Sequence, residues 1–171
     1  MSNKGAPMPS PAPLMALSTA YWDSQVFLCA NRIGVFALLS EAPLAAAEIA
    51  AKLNTGERAT TLLLNACVAL GLLECDDKQR FANSALSATY LVPGQPGFMG
   101  NAVAYSDNLY NTWGELEKAL RDERPPMAPE TYLGDDPKHT RDFVYGMHDR
   151  ALGIGRAMVG LVDLKGRKAL L

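Results

Sequence analysis

The chain has 171 residues, a formal net charge of −2 at pH 7 and 49% hydrophobic residues. This length suits one ordinary domain with a short appendage, and the hydrophobic content suits a folded protein with a sizeable core. The small negative charge does not indicate binding to nucleic acid or acidic membranes through a basic surface, and the apolar runs are much shorter than a membrane span.

Two features of the sequence favour a cytoplasmic protein. Residues 1–13 are rich in Pro, Ser and Ala and lack the apolar segment of a signal peptide, so we expect a disordered or extended tail. Cys29, Cys67 and Cys75 lie among apolar neighbours without a C-x-x-C pair, which indicates neither a zinc site nor a disulfide framework. We expect them to be small core residues in a reducing cytoplasm.

The segment 14–39 is the most apolar part of the chain, and Gly34 is expected to divide it into a long helix and a short one. Two apolar stripes follow the long helix at helical spacing. One comprises Leu14, Leu17, Tyr21 and Leu28, and the other comprises Met15, Trp22, Val26, Cys29 and Ile33. A surface helix of a monomer normally has one such stripe. We therefore expect a partner on two sides, which is either a second subunit or the rest of this chain's own core.

Residues 48–82 predict a winged helix, that is, a short helix, a turn, a longer helix and a two-stranded ribbon. The short helix has its apolar residues at Ala46, Ile49, Ala50 and Leu53. After the longer helix, short strands on either side of the polar turn 76–79 indicate a β-hairpin, the wing.

The ends of the longer helix are also predicted. Thr55 is the expected N-cap, Glu57 lies in the first turn and Gly71 is the expected left-handed stop. The predicted core face comprises Ala59, Leu62, Leu63, Ala66 and Leu70.

The charges on this unit do not favour DNA binding. A DNA-reading helix needs Lys or Arg for phosphates and long polar side chains for base edges. Between residues 57 and 70 the only basic residue is Arg58, and Asp76 and Asp77 at the wing tip would repel phosphate. We therefore interpret the unit as a structural scaffold, with a winged-helix transcription regulator as the alternative.

Further helices are predicted between residues 84 and 121. Ser84 can cap a short helix through Leu91, and the Pro-Gly pairs at 93–94 and 96–97 end it. Two helices are expected at 98–106 and 107–121, and the second has its core face at Leu109, Trp113, Leu116 and Leu120.

Two more helices are predicted after a Pro-rich loop. Asp136 is the expected N-cap and Pro137 the first residue of one helix, on which Phe143 and Met147 share a face. A last helix is expected from about Asp149 to Val162, with an apolar stripe at Ala151, Ile154, Met158 and Leu161. The apolar residues 168–171 follow a turn and are typical of the start of a buried strand, so we expect the chain to be the first part of a longer protein.

The histidines and neighbouring aspartates do not indicate a metal site. His139 and His148 have no Cys or Asp partner at ligand spacing, and helix capping explains Asp135 and Asp136 better than metal binding does. We assign no role to either histidine.

The ordered motifs resemble one known family. They are A-A-E-I-A-A-K-L at 46–53, L-G-L-L at 70–73, a helix with Trp113 followed by Leu116, D-P-x₅-F-x₃-M at 136–147 and V-D-L-x-G-R-x-x-L-L at 162–171. This set, which covers nearly all of the chain after Pro13, resembles the plant-type and bacterial small-molecule O-methyltransferases that use S-adenosylmethionine. The resemblance implies a mainly α fold, with the winged helix embedded in a helical dimerisation domain at 14–163. Residues 164–171 would begin a Rossmann-like domain.

The resemblance also implies a division of functions. The chain would form a homodimer through its N-terminal helices and roof the pocket of a small-molecule substrate with an aromatic or polyketide-like hydroxyl. The glycine-rich cofactor loop and the catalytic histidine of the family would follow residue 171. The chain alone is therefore expected to bind no S-adenosylmethionine and no metal, to contain no catalytic residue and to be inactive.

Five substrate-binding residues are implied by the resemblance. Phe143 and Met147 match by their place in the D-P motif, and the others are Leu109, Tyr105 and Trp113. An aromatic ring and a flexible thioether suit an aromatic substrate that must be aligned for methyl transfer. Spacing alone favours ordinary core for these residues, because such pairs occupy most helix faces. A catalytically silent binding protein built from the same domain is a further alternative.

Overall fold

The computed structural model describes residues 8–132, 134–163 and 165–166, and this part of the chain is mainly helical with a small three-stranded sheet. The α-helices are α1 Ala12–Arg32, α2 Val35–Leu38, α3 Ala46–Leu53, α4 Glu57–Ala69, α5 Ala85–Tyr90, α6 Gly100–Gly114, α7 Leu116–Asp122 and α8 Pro137–Leu161. The strands are β1 Leu44–Ala45, β2 Leu73–Cys75 and β3 Arg80–Asn83, and a 3-10 helix spans Pro129–Tyr132. Across the described ranges, no helix is both long and apolar enough to cross a membrane. The predicted strand at 168–171 lies outside the described residues.

The predicted division of the N-terminal segment at Gly34 is confirmed. Gly34 adopts a φ of +86°, which a residue without Cβ tolerates, and it separates α1 from α2. The end of α1 enters the core, where Ala30 is fully buried. It is also tied to α6, because Asn31 Nδ2 donates to the Gly100 carbonyl at 3.3 Å.

The first half of α1 is exposed in the single chain. Both predicted stripes are uncovered there, with exposed fractions of 71% at Leu14, 75% at Leu17 and 59% at Trp22. Farther along the helix, Leu28 is buried. The described part of this chain therefore does not cover the first half of α1, and the interpretation of α1 as a helix central to its own core fails for that half.

The sheet lies beside α3 and α4. The hairpin of β2 and β3 is present as predicted, with Glu74 opposite Ala82, and the apolar face of α3 is confirmed by the burial of Ile49 and Ala50. The two-residue strand β1, which was not predicted, pairs antiparallel with β3 through Leu44 and Phe81. Two residues are too few to show the alternation that predicts a strand.

The predicted ends and core face of α4 need two corrections. The N-cap is Gly56 rather than Thr55, whose hydroxyl oxygen instead lies 2.7 Å from that of Thr60. The predicted stop at Gly71 is confirmed by its φ of +69°. The buried face comprises Thr60, Leu64 and Cys67, whereas the predicted Ala59 and Leu62 are exposed.

The burial of Thr60 explains why the buried face of α4 differs from the predicted one. This residue counts as polar in a sequence pattern, but its hydroxyl donates to the Gly56 carbonyl at 2.9 Å, so it can be buried without an unpaired group.

Cys67 is fully buried, and this burial raises the pKa of its thiol to about 11. Cys29 is half-buried, but the prediction that Cys75 is a core residue is wrong, because it is exposed on the hairpin.

Helix α5 begins as predicted, since the Ser84 hydroxyl accepts the Ser87 N–H at 3.4 Å.

The next two helices, α6 and α7, have different bounds from those predicted, because α6 continues through Ser106 and Asp107. Ser106 stays helical with its hydroxyl donating to the Ala102 carbonyl at 3.1 Å. The predicted core face is also corrected. Leu109 is half-buried, but Trp113, Leu116 and Leu120 are exposed.

Helix α8 begins as predicted, with the Asp136 carboxylate accepting the N–H groups of Lys138 and His139 at 2.9 and 3.0 Å. The sequence predicted a second helix from Asp149, but α8 is continuous through that residue. Asp149 is not an N-cap of its own helix because its carboxylate is directed at α6. The predicted stripe at Ala151, Ile154, Met158 and Leu161 is exposed in the single chain.

Helices α6 and α8 pack antiparallel at close range. Asn108 on α6 meets Asp142 early in α8, and Asn101 at the start of α6 meets Asp149 later in α8. The helices approach each other closely at the buried Gly146. A Cβ atom there would lie 2.9 Å from the Cβ of Tyr105 and 3.2 Å from the Asn101 carbonyl oxygen. Only a glycine allows this separation without a shift of one helix.

We therefore expect Gly146→Ala to destabilise the protein by about 1–3 kcal/mol, as overpacking of a well-filled contact does. The matched control is Gly153→Ala on the same helix, where nothing lies within 4 Å of the added Cβ. It should stabilise by about 0.5–1 kcal/mol through helix propensity alone. Urea unfolding of the three proteins measures both effects. Equal effects of the two substitutions would contradict the close contact.

Candidate functional site

The α6–α8 contact brings two of the predicted substrate-binding residues together. The rings of Tyr105 on α6 and Phe143 on α8 have centroids 5.5 Å apart and meet edge to face at 62°. Both side chains are half-buried, as are Leu109 and Met147, each one turn farther along its own helix. The four residues therefore belong to two facing helix stripes, as their spacing of four requires.

Trp113 differs from the other four predicted residues. It lies two turns beyond Tyr105 at the end of α6 and is 69% exposed. The single chain thus presents an indole at the surface and does not enclose it beside the Tyr105–Phe143 pair.

A buried carboxylate fixes the register of these two helices. Asp149 is only 8% exposed and accepts the N–H groups of Asn101 and Ala102 at 3.1 and 3.3 Å, together with the Asn101 side-chain amide at 3.4 Å. These are N–H groups of the first turn of α6, which have no partner within their own helix. Asp149 thus caps α6 from α8, and sequence reasoning missed this role because the cap is distant in the chain.

Arg150 lies beside the aromatic pair and was also missed. Its guanidinium carbon is 5.3 Å from the centroid of the Tyr105 ring, and Nη2 donates to Ser106 Oγ at 3.1 Å. Seven residues separate Arg150 from Phe143, which places both on one side of a helix. That spacing was the available signal.

An apolar groove of about 480 Å³ borders Arg150. It lies between the segment before α6 and the second half of α8. Its walls are formed mainly by Tyr90, Phe98, Met99, Leu152 and Ile154, and the charged residues Asp149 and Arg150 also line it. This is the size of cleft that holds small organic ligands.

A second cleft of about 390 Å³ is polar and lies between α1, α6 and α8. The Arg32 guanidinium donates to both Asp107 oxygens at 2.5 and 2.6 Å, and this hydrogen bonding raises the pKa of Arg32. His139, which also borders the cleft, lies 2.7 Å from Asp136 Oδ2 through Nδ1. The prediction that His139 has no Asp partner is therefore wrong. The pair is local, because Asp136 is also the cap of α8.

Asp142 is held between the two helices. Burial acts to raise its pKa, but hydrogen bonds from the Asn108 amide and the Lys138 ammonium, each at 3.0 Å, outweigh burial and lower the pKa. Asp142 is therefore a carboxylate that links α6 and α8 at neutral pH.

The remaining chemistry of the described residues is limited. Within ranges 8–132, 134–163 and 165–166, no cluster of three or more His, Cys, Asp or Glu side chains could hold a metal ion. On the hairpin, Asp76 is engaged by Arg80 at 2.8 Å. The outer surface of α4 carries a single exposed base, Arg58.

Comparison with known proteins gives the same family from sequence and from structure. Residues 15–93 match the family model of the O-methyltransferase dimerisation domain. The chain is 31% identical to 3-hydroxy-5-methyl-1-naphthoate 3-O-methyltransferase of Streptomyces sahachiroi over 94% of its own length and 48% of that protein. It is 38% identical to acetylserotonin O-methyltransferase of Bos taurus over 92% and 47% of the two lengths.

Among solved structures, human N-acetylserotonin methyltransferase in complex with S-adenosylmethionine is similar, with a TM-score of 0.81 and 26% identity over 96% of this chain and 51% of that chain. The chain thus spans about half the length of the curated relatives it matches.

The cap of α8 predicts a pH dependence of stability. The backbone N–H of His139, followed by its imidazole, holds the pKa of Asp136 below the ordinary value of 3.8. A carboxylate whose pKa is lowered by folding contributes stability above its unfolded pKa, and this contribution is lost as the pH falls through the folded pKa. The Tm difference between the natural protein and Asp136→Asn should therefore shrink as the pH is lowered from about 5 to about 3. Asp135→Asn, which changes the exposed neighbour, is the control. A difference that stays constant across this range would contradict the assignment.

Proposed function

This chain belongs to the S-adenosylmethionine-dependent O-methyltransferase family, whose dimerisation domain it carries, and we propose that it is the N-terminal dimerisation and substrate-wall part of a small-molecule O-methyltransferase. The acceptor is an aromatic or polyketide-like hydroxyl. The observation that carries the proposal is the combination of an exposed apolar half of α1 with an aromatic pair held between α6 and α8. On this proposal the dimerisation domain extends over residues 14–163, and residues 164–171 begin the cofactor-binding domain. Helix α1 already begins at Ala12, so the predicted tail at 1–13 is too long by two residues.

The first part of the proposal is a homodimer formed through the N-terminal helices. Contiguous apolar surface on a helix is normally covered by another element or another chain. Leu14, Leu17 and Trp22 provide such a surface, and the match to a dimerisation domain makes a second copy the natural partner.

The unit of α3, α4 and the hairpin is, on this proposal, a winged-helix scaffold. It supports the dimer and does not read DNA. The order of a short helix, a longer helix and a β-hairpin supports the assignment, with β1 as the third strand. DNA binding is not favoured, because Arg58 is the only base on α4 and a nucleic-acid surface needs several. We place the protein in the cytoplasm.

The second part of the proposal is the wall of a substrate pocket. Tyr105 and Phe143 form its aromatic part, Leu109 and Met147 continue it, and Trp113 extends it at the end of α6. Aromatic side chains and a thioether suit a flat ring and can hold it in the orientation that an in-line transfer requires.

The cofactor is held outside this chain. In the longer enzyme, S-adenosylmethionine supplies the methyl group. On this proposal the chain by itself neither binds S-adenosylmethionine nor transfers a methyl group, and its contribution is to bind and orient the acceptor.

The dimer can be tested by sedimentation of the 171-residue chain at micromolar concentration. We expect a dimer, and we expect Leu17→Arg to produce a monomer because a charge would be buried at the contact. The control is Leu62→Arg on α4, which changes a leucine that is 58% exposed outside α1. A natural chain that sediments as a monomer, or a Leu62→Arg variant that dissociates equally, counts against the proposal.

The wall can be tested in the longer enzyme with Phe143→Ala. Loss of the ring removes an edge-to-face partner of Tyr105, a contact worth about 0.5–1.5 kcal/mol beyond its buried area, and part of the substrate surface. We expect KM for an aromatic acceptor to rise about tenfold while KM for S-adenosylmethionine is unchanged. The control is Val144→Ala, whose side chain is 55% exposed. Unchanged steady-state kinetics would remove Phe143 from the wall.

A further inference from the structure

Arg150 is a fixed cation in the lining of a mostly apolar groove. The Tyr105 ring and the Ser106 hydroxyl hold its guanidinium in place. Four other arginines, Arg32, Arg80, Arg121 and Arg141, have a carboxylate within ion-pair distance. In the part of the chain that the structure describes, Arg150 has none.

The neighbouring carboxylate does not neutralise this charge. Asp149 also lines the groove, but it is only 8% exposed and its oxygens accept N–H groups at the start of α6. Among the described residues it forms no ion pair with Arg150. Arg150 therefore keeps a positive charge that no described carboxylate pairs, with N–H donors beyond the one that Ser106 accepts.

The rest of the groove suits a flat hydrocarbon. Tyr90, Phe98 and Met99 line one side, and Leu152 and Ile154 line the other. Rings and a thioether pack favourably on aromatic ligands. A ligand that used both the walls and Arg150 would combine an aromatic ring with an anionic group.

We propose that this groove binds an aromatic carboxylic acid, with the ring against the apolar walls and the carboxylate on Arg150. A guanidinium matches a carboxylate in shape and charge through two parallel hydrogen bonds. The inference rests on the proposed function and narrows its substrate class from aromatic compounds to aromatic acids. The relative from Streptomyces sahachiroi is named for a hydroxynaphthoate, which is an acid of this class.

The test measures the affinity of the 171-residue chain for 1-naphthoate and for 1-naphthamide, which has nearly the same shape but no charge. We expect the acid to bind about tenfold more tightly than the amide, since hydrogen bonds to charged groups exceed neutral ones and the exposed position limits the gain. Arg150→Gln should remove the preference and leave the affinity for the amide unchanged. Added salt should reduce the preference in the natural protein.

Arg141→Gln is the matched control. Arg141 is on the same helix and lies over the Tyr145 ring at 4.9 Å, but it has a carboxylate, that of Asp142, at 3.8 Å and does not line the groove. This variant should keep the full preference for the acid. Circular dichroism should show the same helix content in all three proteins.

Equal binding of acid and amide by the natural chain would overturn the inference, as would an equal loss in the Arg150 and Arg141 variants. Either result leaves the proposed function standing, because an aromatic ligand would still bind. If neither compound binds, the groove is not a ligand site and the inference fails. The dimer and the Phe143 wall are then judged by their own tests.

Discussion

The arrangement of this protein depends on the contact between α6 and α8. Gly146 lets the two backbones approach, and the Asp149 carboxylate binds the N–H groups that open α6. The first contact sets the distance between the helices and the second sets their register. With both fixed, Tyr105 and Phe143 meet edge to face and Arg150 is placed over the Tyr105 ring. The proposed wall is thus a consequence of backbone packing and of one buried carboxylate, whose hydrogen bonds offset the cost of burying its charge.

The N-terminal part of the chain has a closed core and, beside it, an apolar surface on α1 that the described residues do not cover. The core gathered by α2, α3, α4 and the sheet is closed, with Phe36, Ile49 and Leu64 fully buried. The first half of α1 extends from this core with its apolar side chains in solvent, and the second half of α8 does the same at Ile154. A domain with a complete core and two uncovered apolar helix ends is suited to assembly. The sequence match to a dimerisation domain agrees with this arrangement.

Local signals in the sequence predicted much of the fold. Gly34, Ser84 and the Asp136–Pro137 pair each mark an element boundary through the chemistry of a few neighbouring residues, and each boundary is present. The sequence predictions were wrong where a contact between residues far apart in the chain determines the local structure. The sequence predicts a helix start at Asp149, because no local pattern shows its contact with Asn101, 48 residues away on α6. The buried face of α4 differs from the predicted one because the Thr60 hydroxyl donates to the Gly56 carbonyl, which allows this polar side chain to be buried. For the site, the family resemblance brought Tyr105 and Phe143 into the prediction, but it indicated neither the capping role of Asp149 nor the position of Arg150 over the Tyr105 ring.

The central claim is that a second copy of the chain covers the exposed half of α1, and the fluorescence of Trp22 reports on it directly. The chain has two tryptophans, so Trp113→Phe leaves Trp22 as the sole emitter. In the single chain Trp22 is 59% exposed. The account predicts blue-shifted emission that iodide quenches poorly at micromolar concentration, and a shift to solvent-like, readily quenched emission on dilution. Solvent-like emission at every concentration would contradict it.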